Sequence, residues 1–378
     1  MALLIETSNE YARGLLRGIQ AYIQEHHPWS IYLPERSRLS LDLSWLDHWT
    51  GHGVIARLEN DEIAQRVHNL RLPTVNMSSA RILHDVPCVE TNDRSIAHMA
   101  VNHLLEHGFR SFGYVGDSRF VWSENRKYWF QHYVHEAGYS CETFDISDAL
   151  SHHESWRVTR FELGKWLRQV RKPTGIMACY DILGQQILDA CNVMQIAVPQ
   201  EIGVLGVDND QLLCTLSYPS LSSVSPDTYQ TGYVAAALLD RMMSGEIVTS
   251  QLQLIEPIGI VERMSTDHVA TDDELVSQAV RYIREHGYND INVNDLLTVI
   301  PLSRRVLERR FIHVLGHSPH EEITRTKVKL IQQFLLQTDL SISDIADQMS
   351  FKHPEYMSVF FKRQTGMSPR EFQQRIKH

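Results

Sequence analysis

The chain has 378 residues and a formal net charge of −10. That length predicts two or three domains, and a hydrophobic fraction of 43% with 22% charged residues excludes a largely disordered chain. No apolar run approaches the roughly 18 residues that a membrane helix needs. The five cysteines are scattered without CxxC spacing, which is typical of reduced thiols and not of a disulfide framework. We therefore expect a cytoplasmic protein with no membrane partner.

Charge is distributed unevenly along the chain. Residues 276–378 carry 15 Lys and Arg against 11 Asp and Glu, whereas the preceding residues carry 21 against 35. An acidic body with a mildly basic C-terminal part suggests two separate tasks. The C-terminal part is the candidate for binding a polyanion such as nucleic acid.

The first 260 residues alternate between strand-like and helix-like segments. Strand-like runs occupy residues 3–5, 53–56, 73–76, 112–116, 175–179 and 202–207, and helical spacing recurs at residues 15–23, 63–67, 96–104 and 183–191. This alternation predicts parallel sheets covered by helices on both faces. Because 260 residues are many for a single sheet, we expect an α/β domain of two lobes with a cleft between them, spanning residues 1–264.

The character of the sequence changes near residue 265. Residues 265–275 include a polar, acidic stretch and are expected to form a linker. From residue 276 to 378 every periodic segment is helical, which predicts an all-α C-terminal domain.

The C-terminal domain contains an internal repeat at an offset of 50 residues. The matched pairs are Phe311 and Phe361, Gly316 and Gly366, Ser318-Pro319 and Ser368-Pro369, and Glu321 and Glu371. Each copy predicts a short helix, a tight turn and a second helix, which begins at Ser303 or near His353-Pro354. A helix of about 16 residues, 321–336, is expected between the copies. Two helix-turn-helix units joined in this way suit successive major grooves, which lie about 34 Å apart.

Segments 303–311, 316–319, 338–346 and 361–369 resemble the DNA-binding domain of the arabinose-regulator (AraC) family. The resemblance implies double-stranded operator DNA as a partner and activation through RNA polymerase. We expect the core of the motifs to contain Leu307, Phe311, Tyr356 and Phe361. The residues that the resemblance places against DNA are Arg304, Arg305, Glu308, Arg309, His353, Glu355, Ser358, Lys362 and Arg363.

The chain departs from that family's pattern at four positions. Ser350 replaces the usual glycine of the second motif, and Ile331 replaces an alanine of the linking helix. In the second recognition helix, Val359 stands where the family has an arginine, and Met357 replaces a phenylalanine. These changes predict weaker or methyl-biased base reading by the second motif.

The first 260 residues resemble the effector domain of the lactose-repressor (LacI) family, which is similar to periplasmic sugar-binding proteins. The resemblance rests on residues 100–104, 108–116, 123–126, 202–208 and 221–227. The combination of this sensor with a C-terminal AraC-type reader is found in the xylose-operon activator family of enteric bacteria. That resemblance implies a sugar-responsive transcription activator with D-xylose as its ligand. We also expect the protein to be a homodimer.

Sugar recognition needs planar polar groups for adjacent hydroxyls and an aromatic face for the C–H side. In open α/β sheets such groups collect at the carboxyl ends of strands. By family position or by place after a strand, the candidate ligand-binding residues are Tyr11, Arg13, Asn92, Asp93, Trp122, Arg126, Asp181 and Asp208. Asn92 and Asp93 stand in the reverse of the family's usual order, which leaves open which of the two reaches the cleft.

The remaining histidine and cysteine patterns indicate structural roles. His103 and His107 fit the H-x-x-E-H metalloprotease spacing. The same place in the repressor family is an ordinary helix, so we expect no metal there. We also expect no cofactor and no catalytic residue. Cys88 is expected to be a buried, inert thiol. Three alternatives stay open: a regulator for another pentose or hexose, a sugar- or DNA-modifying enzyme with a DNA-targeting tail, and a constitutive architectural DNA-binding protein.

Overall fold

The structure is a computed structural model that describes residues 1–34, 43–147, 156–248, 251–267, 273–338 and 340–376. The chain divides into two compact units, Met1–His268 (unit 1) and Val269–His378 (unit 2). Within the described ranges, no helix is long and apolar enough to cross a membrane.

Unit 1 is built from parallel strands and covering helices. Its strands are β1 (Ala2–Leu4), β2 (Val54–Ala56), β3 (Thr74–Asn76), β4 (Cys88–Thr91), β5 (Phe112–Gly116), β6 (Cys141–Asp145), β7 (Thr174–Ala178), β8 (Ile202–Val207), β9 (Ser222–Ser225), β10 (Leu252–Ile255) and β11 (Gly259–Val261). Its helices are α1 (Glu10–Glu25), α2 (Asp61–Asn69), α3 (Asp93–Glu106), α4 (Val121–Glu136), α5 (Trp156–Gln169), α6 (Asp181–Val193), α7 (Gln211–Leu216) and α8 (Thr228–Met243). The described residues of unit 1 also form two 3₁₀ turns, Ser44–His48 and Met264–Thr266.

The strands form two sheets, one for each lobe. The first sheet has the order β1-β2-β3-β4-β10 and is parallel throughout. The second has the order β11-β9-β8-β7-β5-β6, and among the described strands only β11 runs antiparallel to its neighbour. The chain passes between the sheets after β4, β9 and β10. The predicted two-lobed α/β architecture is confirmed.

The first lobe owes its compactness to close packing of α1 against α8. A Cβ atom on Gly18 would lie 1.9 Å from the carbonyl oxygen of Tyr229, and one on Gly232 would lie 2.0 Å from that of Leu15. Only glycine permits this approach of two helix backbones. The contact joins the N-terminal helix to a helix more than 200 residues later, which closes the first lobe around its sheet.

The end of unit 1 is buried where the sequence predicts a linker. The Ser265 hydroxyl donates to the Val204 carbonyl at 2.5 Å, and Thr266 Oγ1 lies 2.8 Å from both Ser222 Oγ and His103 Nε2. Residues 265 and 266 therefore belong to the core of unit 1, because their hydroxyls are satisfied there. Both histidines of the H-x-x-E-H pattern make side-chain contacts in this region. His103 contacts Thr266, and His107 Nε2 lies 3.3 Å from Glu262 Oε1.

Unit 2 consists of helices in the part that the structure describes. They are α9 (Glu274–Glu285), α10 (Val293–Val299), α11 (Arg304–Leu315), α12 (Pro319–Gln337), α13 (Ile342–Gln348), α14 (Pro354–Thr365) and α15 (Pro369–Ile376). The pairs α10–α11 and α13–α14 are the two helix-turn-helix motifs. The helix between them has 19 residues and extends beyond the predicted 16 at both ends, because Ser318 caps it and Pro319 begins it. At 1.5 Å per residue it spans about 28 Å.

Local chemistry sets the turns of both motifs. Gly316 and Gly366 end α11 and α14 with φ of 73° and 79°, the left-handed conformation expected for such glycines. Ser350 adopts the same region with φ of 56°, so it fills the glycine position at a steric cost. Ser303 occupies the N-cap of α11, but its side chain makes no capping hydrogen bond.

The predicted core of the motifs needs one correction. Leu307, Phe311 and Phe361 are fully buried, as expected, but Tyr356 is 62% exposed. Met357 is buried in its place. Successive helical residues are rotated by about 100°, so a shift of one position exchanges the buried side chain for an exposed one.

Candidate ligand cleft and nucleic-acid interface

A polar pocket lies in the cleft of unit 1 and draws its walls from both lobes. Tyr11, Arg57 and Glu90 come from the first lobe, and Trp122, Arg126 and Asp208 from the second. It holds about 260 Å³ of empty space, part of which is open to solvent. Two guanidinium groups, two carboxyl groups and two aromatic rings suit a small polar molecule with both polar and C–H faces.

The first-lobe wall is organised around Tyr11 in the first turn of α1. This helix begins where Asn9 Oδ1 accepts from the Ala12 amide at 2.8 Å. The Tyr11 hydroxyl donates to Glu90 Oε1 at 2.7 Å, and Arg57 Cζ lies 5.1 Å from the centre of the Tyr11 ring. These contacts fix the carboxyl of a β4 residue and the guanidinium of a residue just after β2 on one surface.

Arg57 is a buried cation with carboxylates behind it. Its Nη1 donates to Glu6 Oε2 at 3.0 Å and its Nη2 donates to Glu59 Oε1 at 2.6 Å. Burial opposes its charge, but Glu59 and Glu6 outweigh burial and raise the pKa of Arg57. The guanidinium is therefore held charged, with one edge engaged by protein.

Glu90 is a buried carboxyl whose pKa is raised. Burial raises the pKa of Glu90 to about 7, although Arg57 opposes the shift and Asp93 adds to it. Its Oε2 atom and the Nε atom of Arg57 are buried and make no hydrogen bond to any residue that the structure describes. Buried polar atoms without partners are costly, and both belong to residues that line the pocket.

The second-lobe wall carries Arg126 on α4. Its Nε donates to Asp93 Oδ1 at 2.8 Å, and its Nη1 donates to the Cys179 carbonyl at 2.6 Å. Burial alone would lower the pKa of Arg126, but the carboxylates of Asp93 and Asp208 raise it. Arg126 is thus a fixed cation in the cleft.

Trp122 supplies an aromatic face beside that cation. It is 7% exposed, and Arg126 Cζ lies 5.1 Å from the centre of its ring. Phe120 stacks on it with ring centres 5.3 Å apart, and Tyr180 meets it edge-on at 5.6 Å. This aromatic packing holds the ring in one orientation.

Asp208 lies on a strained loop that follows β8. Asp208 and Asn209 have φ of 108° and 48°, values that non-glycine residues rarely adopt. Asp181 supports the loop from behind: its Oδ2 accepts from the Asp210 amide at 2.7 Å, and its Oδ1 accepts from the Ser223 hydroxyl at 2.6 Å. Burial and then Asp208 raise the pKa of Asp181 well above its ordinary value. Asp181 therefore positions the loop and does not line the pocket.

Three other predicted ligand residues lie beside the pocket. Asp93 is buried against Arg126, whereas Asn92 caps α3 and donates to Glu256 Oε1 at 2.7 Å. Of the two, Asp93 is the one joined to the pocket wall. Arg13 is half-exposed and lies 3.9 Å from Asp210 Oδ2, an ion pair that connects the two lobes.

Arg57 and Glu90 line the pocket but were not among the ligand residues predicted from the sequence. Arg57 directly follows β2, a strand that the sequence predicts, and the rule that ligands bind at the carboxyl edge of a parallel sheet would have found it. Glu90 lies within β4, where no strand was predicted, so the same rule could not have found it.

The predicted DNA-facing residues lie on the outer sides of the two recognition helices, α11 and α14. Arg304, Arg305 and Arg309 are exposed, and Glu308 is half-buried with its Oε1 atom 2.9 Å from Arg304 Nε. On and before α14, the exposed members of the predicted set are His353, Glu355, Lys362 and Arg363, while Ser358 is half-buried. Both helices thus present polar and basic side chains to solvent.

Comparison with known proteins covers both units. Residues 1–92 match the XylR N-terminal domain, residues 101–266 match a periplasmic binding protein-like domain, and residues 296–375 match a helix-turn-helix domain.

Full-length relatives match along nearly the whole chain. The xylose operon regulatory protein of Escherichia coli (strain K12) is 30% identical over 380 residues, which covers 98% of this chain and 96% of that protein. The protein of the same name from Haemophilus influenzae is also 30% identical, over 98% and 97% of the two chains. The solved structure of the xylose-binding transcription activator xylR superposes with a TM-score of 0.82, at 30% identity, over 99% of this chain and 97% of that one. These relatives are transcription regulators and not enzymes, and the chain belongs to the family of the xylose operon regulatory proteins.

Proposed function

We propose that this protein is a xylose-dependent transcription activator that binds D-xylose in the cleft of unit 1 and operator DNA through unit 2. The observation that carries the proposal is the pocket itself, whose walls combine paired cationic and carboxyl groups with a fixed tryptophan face. The same two units occur in relatives that are named for the xylose operon. As part of this proposal, the protein acts as a homodimer on adjacent half-sites and contacts RNA polymerase.

The sugar is expected to lie between Trp122 and the charged groups of the cleft. Asp208 accepts from its hydroxyls, and Arg126 donates to its oxygens, from the second lobe. From the first lobe, Glu90 Oε2 accepts from the sugar hydroxyls and Arg57 Nε donates to the sugar oxygens. Neither atom has a hydrogen-bond partner among the described residues. A ligand that engages both walls binds the closed cleft more tightly than the open one, and it shifts the equilibrium by that difference in affinity.

Arg263 provides a physical route from the pocket to the end of unit 1. Its Nη2 donates to Asn209 Oδ1 at 2.9 Å, one residue from Asp208. Its backbone is bonded to Ser222 Oγ, which also lies 2.8 Å from Thr266 Oγ1. A change in the loop at residues 208–210 is therefore passed to residues 265 and 266, after which the chain continues into unit 2.

Thermal unfolding with a panel of aldoses tests the sensor. All seven tryptophans lie between residues 29 and 166, so their fluorescence reports unit 1 alone. A ligand at 100 times its Kd adds about 2.7 kcal/mol to stability. We expect the shift with D-xylose, its loss in Asp208→Ala, and its retention in Asp47→Ala, a surface control. A shift with another pentose or hexose instead would reassign the ligand, and no shift with any sugar would refute the sensor.

A second variant tests the route to unit 2. Asn209→Gly removes the acceptor of Arg263 Nη2 and tolerates the left-handed φ of 48° at this position, so the Asp208 side chain is left in place. We expect sugar binding to persist and the sugar dependence of operator binding to fall. Equal loss of both would show that the loop is needed for the pocket alone.

A further inference from the structure

The two recognition helices present different chemistry at equivalent repeat positions. The offset of 50 residues pairs Arg309 with Val359 and Arg305 with Glu355. Arg309 is exposed on α11, and Val359 is 67% exposed on α14. The second helix therefore carries an aliphatic side chain at the place where the first carries a guanidinium.

Tyr356 extends this apolar surface. It is 62% exposed and precedes Val359 by three residues, so both side chains lie on the same face of α14. Its ring meets His353 edge-on, with centres 5.4 Å apart. Large apolar side chains exposed together on a short helix are unfavourable in water unless a partner covers them.

The charge around this surface indicates nucleic acid as the partner. Lys362 and Arg363 are exposed one turn further along α14 and suit phosphate oxygens. In a helix-turn-helix motif, the N-terminal residues of the second helix face base edges in the major groove. Tyr356 and Val359 occupy that first half of α14.

Among the groups at the floor of the major groove, the thymine C5-methyl is the one that an aliphatic side chain recognises. We propose that α14 reads thymine methyl groups in the operator through Val359 and Tyr356. This inference rests on the proposed function, since it requires that unit 2 binds DNA. The half-site of the second motif is then specified by apolar contacts to A·T pairs, whereas the first motif offers arginine for guanine O6 and N7.

Replacement of thymine by deoxyuridine removes only the methyl group and tests the proposal. DNA sites are first selected with the full-length protein and D-xylose, and each thymine is then replaced singly. Burial of one such group corresponds to about 0.8 kcal/mol, or roughly a fourfold change in Kd. We expect at least one thymine of the second half-site to show this loss in the wild type.

Two variants assign the effect to α14. In Val359→Arg, which copies the residue of the first motif, we expect uracil sensitivity to disappear at the thymine that Val359 contacts and the selected base at that position to change from thymine to guanine. Sensitivity at a thymine that Tyr356 contacts should be retained. Arg309→Ala, the matched change in α11, should weaken binding and relax guanine preference in the other half-site while uracil sensitivity is retained.

Three results would overturn the proposal. They are affinity unchanged by every single uracil replacement in the second half-site, uracil sensitivity that is unaltered at every thymine in Val359→Arg, and guanine already selected opposite α14 by the wild type. Specific DNA binding would survive in each case, so the proposed function would stand. Failure to select any site would instead remove the proposed function together with this inference.

Discussion

Glu90 is expected to make the stability of unit 1 depend on pH. Its pKa is about 7 in the folded protein because of burial, against an ordinary value of 4.5. Between these two values the folded state holds a proton that the unfolded state has released. Stability therefore falls as the pH rises through this window, and the decrease is complete above pH 7.

The Glu90→Gln variant isolates this contribution. At 1.36 kcal/mol per pKa unit, a shift of this size makes the wild type lose about 2.5 kcal/mol between pH 5 and pH 8 relative to a side chain that cannot ionise. The glutamine side chain has nearly the same shape and can still accept from the Tyr11 hydroxyl. We therefore expect the difference in unfolding free energy, variant minus wild type, to grow by that amount over the interval.

Urea unfolding followed by tryptophan fluorescence measures this difference for unit 1. Profiles of wild type and Glu90→Gln are compared at pH 5, 6, 7 and 8. Glu142→Gln, at an exposed position of β6, reports the effect of the same exchange outside the pocket. Parallel profiles for wild type and Glu90→Gln would refute the reasoning, because they would mean that Glu90 binds no extra proton in the folded state.

Three further predictions concern packing, backbone strain and thiol burial. Gly18→Ala should cost at least about 2 kcal/mol by urea unfolding, since its Cβ would lie 1.9 Å from the Tyr229 carbonyl oxygen; an unchanged midpoint would contradict the close approach of α1 and α8. Ser350→Gly should stabilise unit 2 by about 1 kcal/mol in circular dichroism melts, because φ is 56° there; a loss would argue against the strain. Cys88 and Cys179 should react with maleimide at pH 8 only after unfolding, since burial raises the pKa of each thiol to about 12; rapid native labelling would exclude that burial.

Signals that act over a few residues were readable before the fold was known. The alternation of strands with helices and the paired helices of each motif follow from local side-chain periodicity, although α12 begins two residues before the predicted start. The repeat at an offset of 50 predicted two helix-turn-helix motifs for the same reason. Each copy repeats the same local rules.

The register of a helix was less predictable. Tyr356 and Met357 are adjacent, both can fill a core, and the choice between them depends on how α14 packs against α13. The structure buries Met357 and leaves Tyr356 outside. Sequence periodicity locates such a helix more reliably than it orients each residue.

By itself, then, the sequence predicted six of the eleven described strands, the helical C-terminal unit and the order of the two units, and it gave Trp122, Arg126 and Asp208 as ligand candidates, which the structure places around the pocket. Only the tertiary structure decided that Glu90 and Arg57 complete the pocket and that Asp181 supports the loop instead of lining it. The physical reason is distance along the chain. Tyr11 meets Glu90 across 79 residues and Asp181 meets Ser223 across 42, and no local propensity encodes which distant polar groups will share a hydrogen bond once the strands are aligned.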